Sequence, residues 1–266
     1  MKIKRLLSIA LVAIFIIILF IFGTRQMKKL QKVDSQSELI TLAENFEERD
    51  NLKEARAAYQ KLVNDFPNSP LVSEWQKKFE ELNIRLLFSP VITEKSVVYE
   101  IEPGDSLTKI AKKFNTTAEL IQRSNNLKGN KIFAGRKIKV YNRPFSILVD
   151  KSQNSLILKS DEEIIKTYVV STGANNATPT GNFKIINKLT NPTWFKDGTA
   201  IPSESPENIL GTRWLGFDIA SYGIHGTNDP ASIGRNITQG CVRMANENVE
   251  ELYIIVPVGT EVAIVE

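Results

Sequence analysis

The stretch YGIHGTNDPASIGRNITQGCVRM, residues 222–244, holds the only histidine and the only cysteine of a 266-residue chain, His225 and Cys241. Glycines at 223, 226, 234 and 240 surround them, and glycine tolerates tight turns and close backbone approach. A thiol attacks as thiolate, and with a reference pKa of about 8.5 it needs a base to activate it. One imidazole can take that proton and later return it to a leaving group. Gly240-Cys241 adds backbone N–H groups with little side-chain cover, suited to a developing oxyanion. The competing reading is a buried structural cysteine beside an unrelated core histidine.

Outward from this stretch, residues 144–266 read as short strands and turns. Phe145 to Asp150 and Ser155 to Leu158 flank Lys151-Ser152-Gln153-Asn154, a hairpin signal. Ile164 to Ser171, Phe183 to Ile186 and Glu261 to Val265 predict further strands, with loops at Thr172-Gly173 and Thr178-Pro179-Thr180-Gly181. Asn246 to Ile255 reads as a short helix supporting the cysteine-bearing loop. Strands this short with turns this frequent predict a mainly antiparallel β domain. Trp194 and Trp214 are either core or walls of a cleft.

His225-Gly226-Thr227 followed by Thr238-Gln239-Gly240-Cys241-Val242-Arg243-Met244 resembles the signature of the L,D-transpeptidase catalytic domain. The likeness extends through Thr178-Pro179-Thr180-Gly181, Asn191-Pro192-Thr193-Trp194 and Leu210-Gly211-Thr212-Arg213-Trp214, and so spans the whole β domain. The resemblance implies that Cys241 is the acyl-forming nucleophile and His225 its proton acceptor and donor. It also implies that the Gly226 carbonyl orients the far ring nitrogen of His225, and that Arg243 is a structural or substrate-orienting cation near the thiol. Gly240 would contribute to the oxyanion site, with Thr238, Gln239, Tyr222 and Trp214 around the substrate. One position departs from the family pattern, which usually has a second histidine where this chain has Gln239. A carboxamide can donate and accept hydrogen bonds but cannot carry a proton. The activity implied is release of D-alanine from a tetrapeptide stem of peptidoglycan, with transfer of the acyl group to an amine. The product is a 3→3 cross-link or another attached acceptor. Enzymes of this kind are expected to be acylated by carbapenems.

Composition narrows the alternatives. A net charge of +4, with no arginine- or lysine-aromatic stripe, gives no reason to invoke nucleic acid. One cysteine cannot form an intramolecular disulfide, and one His with one Cys cannot supply the usual zinc ligand set. No metal or organic cofactor is expected.

Upstream, Leu6 to Phe22 is an uncharged apolar run preceded by Lys2, Lys4 and Arg5, at the short end of what spans a bilayer. A cleaved signal peptide and an uncleaved anchor compete. The run is long for a cleaved signal and no A-x-A site follows it, which favours an anchor within residues 1–30. Residues 34–89 predict helices: Leu39, Leu42, Ala43 and Phe46, then Leu52, Ala55, Tyr59 and Leu62, keep helical spacing. Asp50-Asn51 marks the turn between them, Pro67 ends the second, and a third helix runs from Leu71 to Leu87. This pattern resembles a tetratricopeptide repeat and implies a protein partner, although a plain helical spacer fits as well.

Residues 97–141 predict a βααβ unit. Its text, YEIEPGDSLTKIAKKF, LIQRSNNL and IFAGRKIKV, resembles a LysM module. That resemblance implies binding of N-acetylglucosamine chains in a groove between two loops. Gly104, Asp105, Ser106, Leu107 and Thr108 lie in the first, and Asn130 and Ile132 in the second. A LysM fold that has lost glycan binding is the alternative.

The expectation is therefore a multidomain α+β protein of the bacterial cell envelope. It would be anchored in the cytoplasmic membrane, with its catalytic domain in the periplasm or cell wall and peptidoglycan as its partner. The competing functions are a catalytically weak peptidoglycan-binding scaffold and a cell-wall L,D-carboxypeptidase or cysteine peptidase. Papain-like peptidases usually place Cys before His, the reverse of the order here.

Overall fold

The computed structural model describes residues 35–266, so the expected anchor at residues 1–30 lies outside the described residues. Among the described residues no helix is long and apolar enough to cross a membrane. The chain divides into two compact units between Arg85 and Leu86.

The first unit is built from α1 (Gln36–Glu48), α2 (Leu52–Asp65) and most of α3 (Val72–Leu87). Ser35 caps α1 by accepting the Glu38 N–H at 3.4 Å. Asp50, in left-handed conformation at φ 54°, turns the chain between α1 and α2. The residues with helical spacing are the buried ones: Leu39, Leu42 and Phe46 on α1, Leu52, Tyr59 and Leu62 on α2. Ala43, Ala55 and Ala58 are fully buried, and such short side chains allow close helix approach.

The second unit opens with β1 (Ser96–Glu100), α4 (Leu107–Lys113), α5 (Ala118–Ser124) and β2 (Lys137–Tyr141). The two strands pair antiparallel, from Ser96 opposite Tyr141 to Glu100 opposite Lys137. Ser106 caps α4 through the Lys109 N–H at 3.2 Å, and Thr117 caps α5 through the Leu120 N–H at 2.9 Å. Ile101, Leu107, Ile110, Ile121, Ile138 and Val140 close a small core between the helices and the strand pair. The βααβ expectation matches this arrangement.

The β domain follows with β3 (Phe145–Asp150), β4 (Ser155–Ser160), β5 (Glu163–Val169), β6 (Thr172–Gly173), β7 (Gly181–Thr190), β8 (Trp194–Lys196) and β9 (Thr199–Ile201). It continues through β10 (Arg213–Phe217), β11 (Gly223–His225), β12 (Asn236–Thr238), β13 (Val242–Arg243), α6 (Asn246–Ile255) and β14 (Glu261–Val265). Eight strands form one sheet in the order β13-β11-β10-β7-β14-β3-β4-β5. Only the β13–β11 and β14–β3 joins in it are parallel; the rest are antiparallel, as the strand lengths predicted. β7 outruns its sequence signal because seven of its ten residues are exposed, the apolar Ile186 and Leu189 among them, which leaves little alternation to read. Alternation is clean on β3 and β4, where Ile147, Val149, Leu156 and Leu158 are buried.

The βααβ module is joined to this domain by specific contacts. Tyr141 stacks on Phe145 at 4.8 Å, and its hydroxyl lies 2.7 Å from Ser160 Oγ. Lys95 pairs with Glu163 at 2.7 Å, and the Thr117 hydroxyl donates to the Ile254 carbonyl in the last turn of α6. Lys188 donates to the Tyr253 and Val256 carbonyls at 2.6 and 2.9 Å, which satisfies acceptors left without helical partners at that helix end. Burial lowers the Lys188 ammonium to a pKa of about 8.

Candidate active site

Parallel pairing between β11 and β13 brings the histidine and cysteine ends of the decisive stretch together. Ile224 lies opposite Val242 and His225 opposite Arg243, and Cys241 enters directly before β13. On the other side of β11, Trp214 of β10 lies opposite His225. The indole and imidazole rings stack with centroids 6.1 Å apart. A cleft of about 670 Å³ opens over these residues, with Cys241, His225, Trp214, Tyr222, Gln239 and Arg243 among its walls.

His225 is only 2% exposed. Its Nδ1 lies 2.6 Å from the Gly226 carbonyl oxygen, which can only accept. The proton of the neutral ring therefore sits on Nδ1 and leaves the Nε2 lone pair free. Burial, aided by the nearby Arg243 charge, lowers the imidazole pKa to about 4, against the raising effect of that hydrogen bond. The ring is thus neutral at physiological pH and able to accept a proton.

Cys241 carries the opposite perturbation. Burial pushes its thiol pKa up, while the Gly223 backbone hydrogen bond and the Arg243 charge pull it down by less. Sγ lies 3.4 Å from the Ser221 carbonyl oxygen, to which the thiol donates. Both reacting groups therefore rest uncharged.

Arg243 is fastened by its backbone, which bridges Ser171 in both directions at 2.8 Å, and its Nη1 donates to Ser232 Oγ at 3.1 Å. Its buried Nε has no acceptor among the described residues. Gly240 adopts φ 132°, and a Cβ there would lie 2.6 Å from the Tyr222 ring. That position admits only glycine.

Three expectations need correction. The Gly240 N–H donates to Thr238 Oγ1 at 3.2 Å, so this amide is committed within the loop instead of facing the cleft as an oxyanion donor. Thr238 is 5% exposed and its hydroxyl donates to the Cys241 carbonyl at 2.6 Å. It ties the nucleophile loop together, and its polar group is used up in doing so. Leu107, expected at a glycan groove, is 2% exposed inside the βααβ core.

Most of the other residues expected at that groove are more open. Gly104 turns at φ 86°, and Thr108 and Asn130 are exposed. Asp105 accepts from the Tyr99 hydroxyl at 2.8 Å and the Glu102 N–H at 2.9 Å. Its carboxyl sits below the usual range, chiefly through the Glu102 backbone N–H. Ile132 packs partly buried on the module core.

Trp194 and Trp214 resolve as cleft walls, both half-buried. The Trp214 Nε1 donates to Asn187 Oδ1 at 3.1 Å, which fixes the indole plane. The sequence reading missed the β8–β9 hairpin, which contributes Trp194, Phe195 and Lys196 to the cleft wall. Its strands of three residues are too short for an alternation signal, although Asp197-Gly198 between them is a hairpin turn pair. It also missed Asn246, which binds the backbone next to His225. Among the described residues no group of three or more His, Cys, Asp and Glu side chains could hold a metal ion.

Residues 144–264 match the L,D-transpeptidase catalytic domain (YkuD) family, and residues 99–140 match the LysM domain family. The chain is 37% identical to a Bacillus subtilis protein named as an L,D-transpeptidase, YkuD, over 63% of this chain and 98% of that one. Its Bacillus licheniformis counterpart is 35% identical over the same shares. An L,D-transpeptidase structure from Mycobacterium smegmatis is similar with a TM-score of 0.41 and 20% identity, covering 50% of this chain and 64% of that one.

Proposed function

The chain belongs to the L,D-transpeptidase family, and we propose that Cys241 and His225 carry out acyl transfer on the peptide stems of peptidoglycan. The observation that carries this reading is the Nδ1 contact of His225 to the Gly226 carbonyl, which leaves Nε2 as a free base beside the thiol's cleft. His225 Nε2 takes the thiol proton as Sγ attacks the carbonyl of the third stem residue. The tetrahedral intermediate collapses to a thioester, and His225 returns the proton to the departing amine of D-alanine. An incoming amine then attacks the thioester. It loses its proton to His225 and releases Cys241 as thiol once that proton is returned. The product is a new cross-link or an attached acceptor.

Raised and lowered pKa values fit this sequence. The thiol is held protonated and the imidazole neutral, so proton transfer accompanies attack and does not precede it. Arg243 adds positive charge that favours the thiolate as it forms.

In the LysM module, Gly104, Asp105, Ser106 and Thr108 with Asn130 and Ile132 would face the glycan, with Leu107 supporting them from within the core. Tyr222, Gln239 and Trp214 would contact the stem. The proposed division is a membrane anchor at 1–30, a tetratricopeptide-like partner-binding region at 34–89, glycan binding at 97–141 and catalysis at 144–266. The anchor would hold the enzyme on the outer side of the cytoplasmic membrane. The test is turnover of a tetrapeptide stem with an amine acceptor, read by mass spectrometry. D-alanine release with acceptor incorporation supports transfer. Release with free acid alone identifies a carboxypeptidase, and no release at all overturns the catalytic reading.

A further inference from the structure

The geometry points to Asn246 as the residue that positions the catalytic base, acting through a single peptide group between itself and His225. This rests on the reading of His225 as the base and adds a residue to it. Asn246 is the first residue of α6. Its Oδ1 accepts the Thr227 N–H at 3.1 Å and the Thr212 N–H at 3.2 Å. Its Nδ2 donates to the Thr227 carbonyl at 2.8 Å. Two backbone donors on one side and a carbonyl on the other fix which end of the carboxamide is oxygen.

The Thr227 N–H and the Gly226 carbonyl belong to the same planar peptide unit. His225 Nδ1–H donates to that carbonyl, and the N–H across the plane donates to Asn246. Every donor in the series points the same way, from imidazole through the peptide to the carboxamide and on to the Thr227 carbonyl. Such chains polarise one another, so each bond strengthens the next. The peptide plane cannot rotate to release the imidazole without breaking its bond to Asn246.

An independent observation concerns two glycines. A Cβ built on Gly226 would lie 2.2 Å from Asn246 Oδ1, and one on Gly211 would lie 2.3 Å from the same atom. Gly211 also has φ 63°. Both positions are kept bare on the side from which this carboxamide enters. The backbone around the base is therefore shaped to Asn246. A cap at a helix start would need one such bond; this side chain makes three, all to segments distant in the chain.

Asn246 touches no reacting atom and is a positioning residue. Because His225 is the only histidine in the chain, its ring nitrogens give unambiguous signals in the 15N-labelled full-length protein. In the wild type, nitrogen NMR is expected to show protonated Nδ1 and bare Nε2. Asn246→Ala should give a mixture of the two tautomers and slow carbapenem acylation by roughly tenfold to a hundredfold. That lies below the ~10⁴-fold known for loss of a direct orienting group in serine proteases. Asn246→Asp keeps the acceptor and should restore the Nδ1–H tautomer, while its new charge raises the pH at which His225 titrates.

Wild-type tautomer and wild-type acylation in folded Asn246→Ala would overturn the proposal. Should the alanine variant fail to fold, an unchanged titration of His225 in Asn246→Asp would overturn it equally. The tautomer is read without turnover, so failure of the acyl-transfer reading would leave this result standing on its own.

Discussion

The βααβ module and the catalytic cleft are joined within one compact unit, yet they treat their polar groups in opposite ways. In the module, Asp105 and Ser106 stand partly exposed in the turn before α4 and Thr108 is exposed in its first turn, and Asp105 stays charged through hydrogen bonds from Tyr99 and Glu102. In the cleft, His225 is withdrawn from water, Cys241 is partly exposed at the wall, and burial shifts both towards their uncharged forms. A surface that recognises a long polar chain needs exposed groups with little energetic strain. A site that moves a proton gains from two neutral partners whose charges appear only during reaction. The contrast separates recognition, which a solvated loop can perform, from chemistry, which needs desolvation.

The sharpest way to break this contrast is Cys241→Ala. Stem turnover and carbapenem acylation should be abolished, while binding to peptidoglycan glycan, measured by pull-down, stays at the wild-type level. Residual turnover would remove Cys241 from its role. His225→Ala should slow acylation by about 10²- to 10⁴-fold, the usual contribution of a positioned general base. Stopped-flow acylation rates would check this, and a loss under tenfold would contradict it.

Proton linkage provides the next test. The folded pKa of His225, about 4, lies below the ordinary value of 6.5. Between those values the unfolded chain binds the proton and the folded one does not, so stability rises with pH across that window. Acidification from pH 6.5 to 4 should cost roughly 3 kcal/mol at this group. His225→Gln should flatten that part of the denaturation profile. Acylation should likewise persist well below pH 6.5, since the base remains neutral there. An acid limb centred at 6.5 would show that the imidazole is solvated.

Smaller effects sharpen the other side of the comparison. Ser106→Ala removes the cap of α4 and should cost the module about 1 kcal/mol. Glycan binding should weaken, and acylation by a small β-lactam should not change. Gln239→His should alter the transfer rate only modestly, because Gln239 lies at the cleft wall without a proton-carrying role.

Much of this division was legible in the sequence, for identifiable physical reasons. The core strands β3 and β4 show period-two burial, and the helices of the first unit show clean apolar spacing. The pair His225 and Cys241 was legible because the motifs around these two unique residues resemble the L,D-transpeptidase signature. Less legible was what individual polar groups bind. Thr238 looks like a substrate contact until its hydroxyl is found between the Gly240 N–H and the Cys241 carbonyl. Leu107 follows a turn and a cap in the text, yet it is the first core residue of its helix. Asn246 reads only as a helix start, because its three partners lie 19 and 34 residues away. Long-range hydrogen bonds of this kind leave no periodic trace.

The most direct test is intact-mass and peptide mass spectrometry of the protein incubated with a carbapenem. The expected result is one adduct mapped to Cys241, absent in Cys241→Ala and slowed in His225→Ala. Folded protein that forms no adduct, or forms it at another residue, would contradict the assignment of Cys241 as an activated nucleophile and leave glycan binding as the function to pursue.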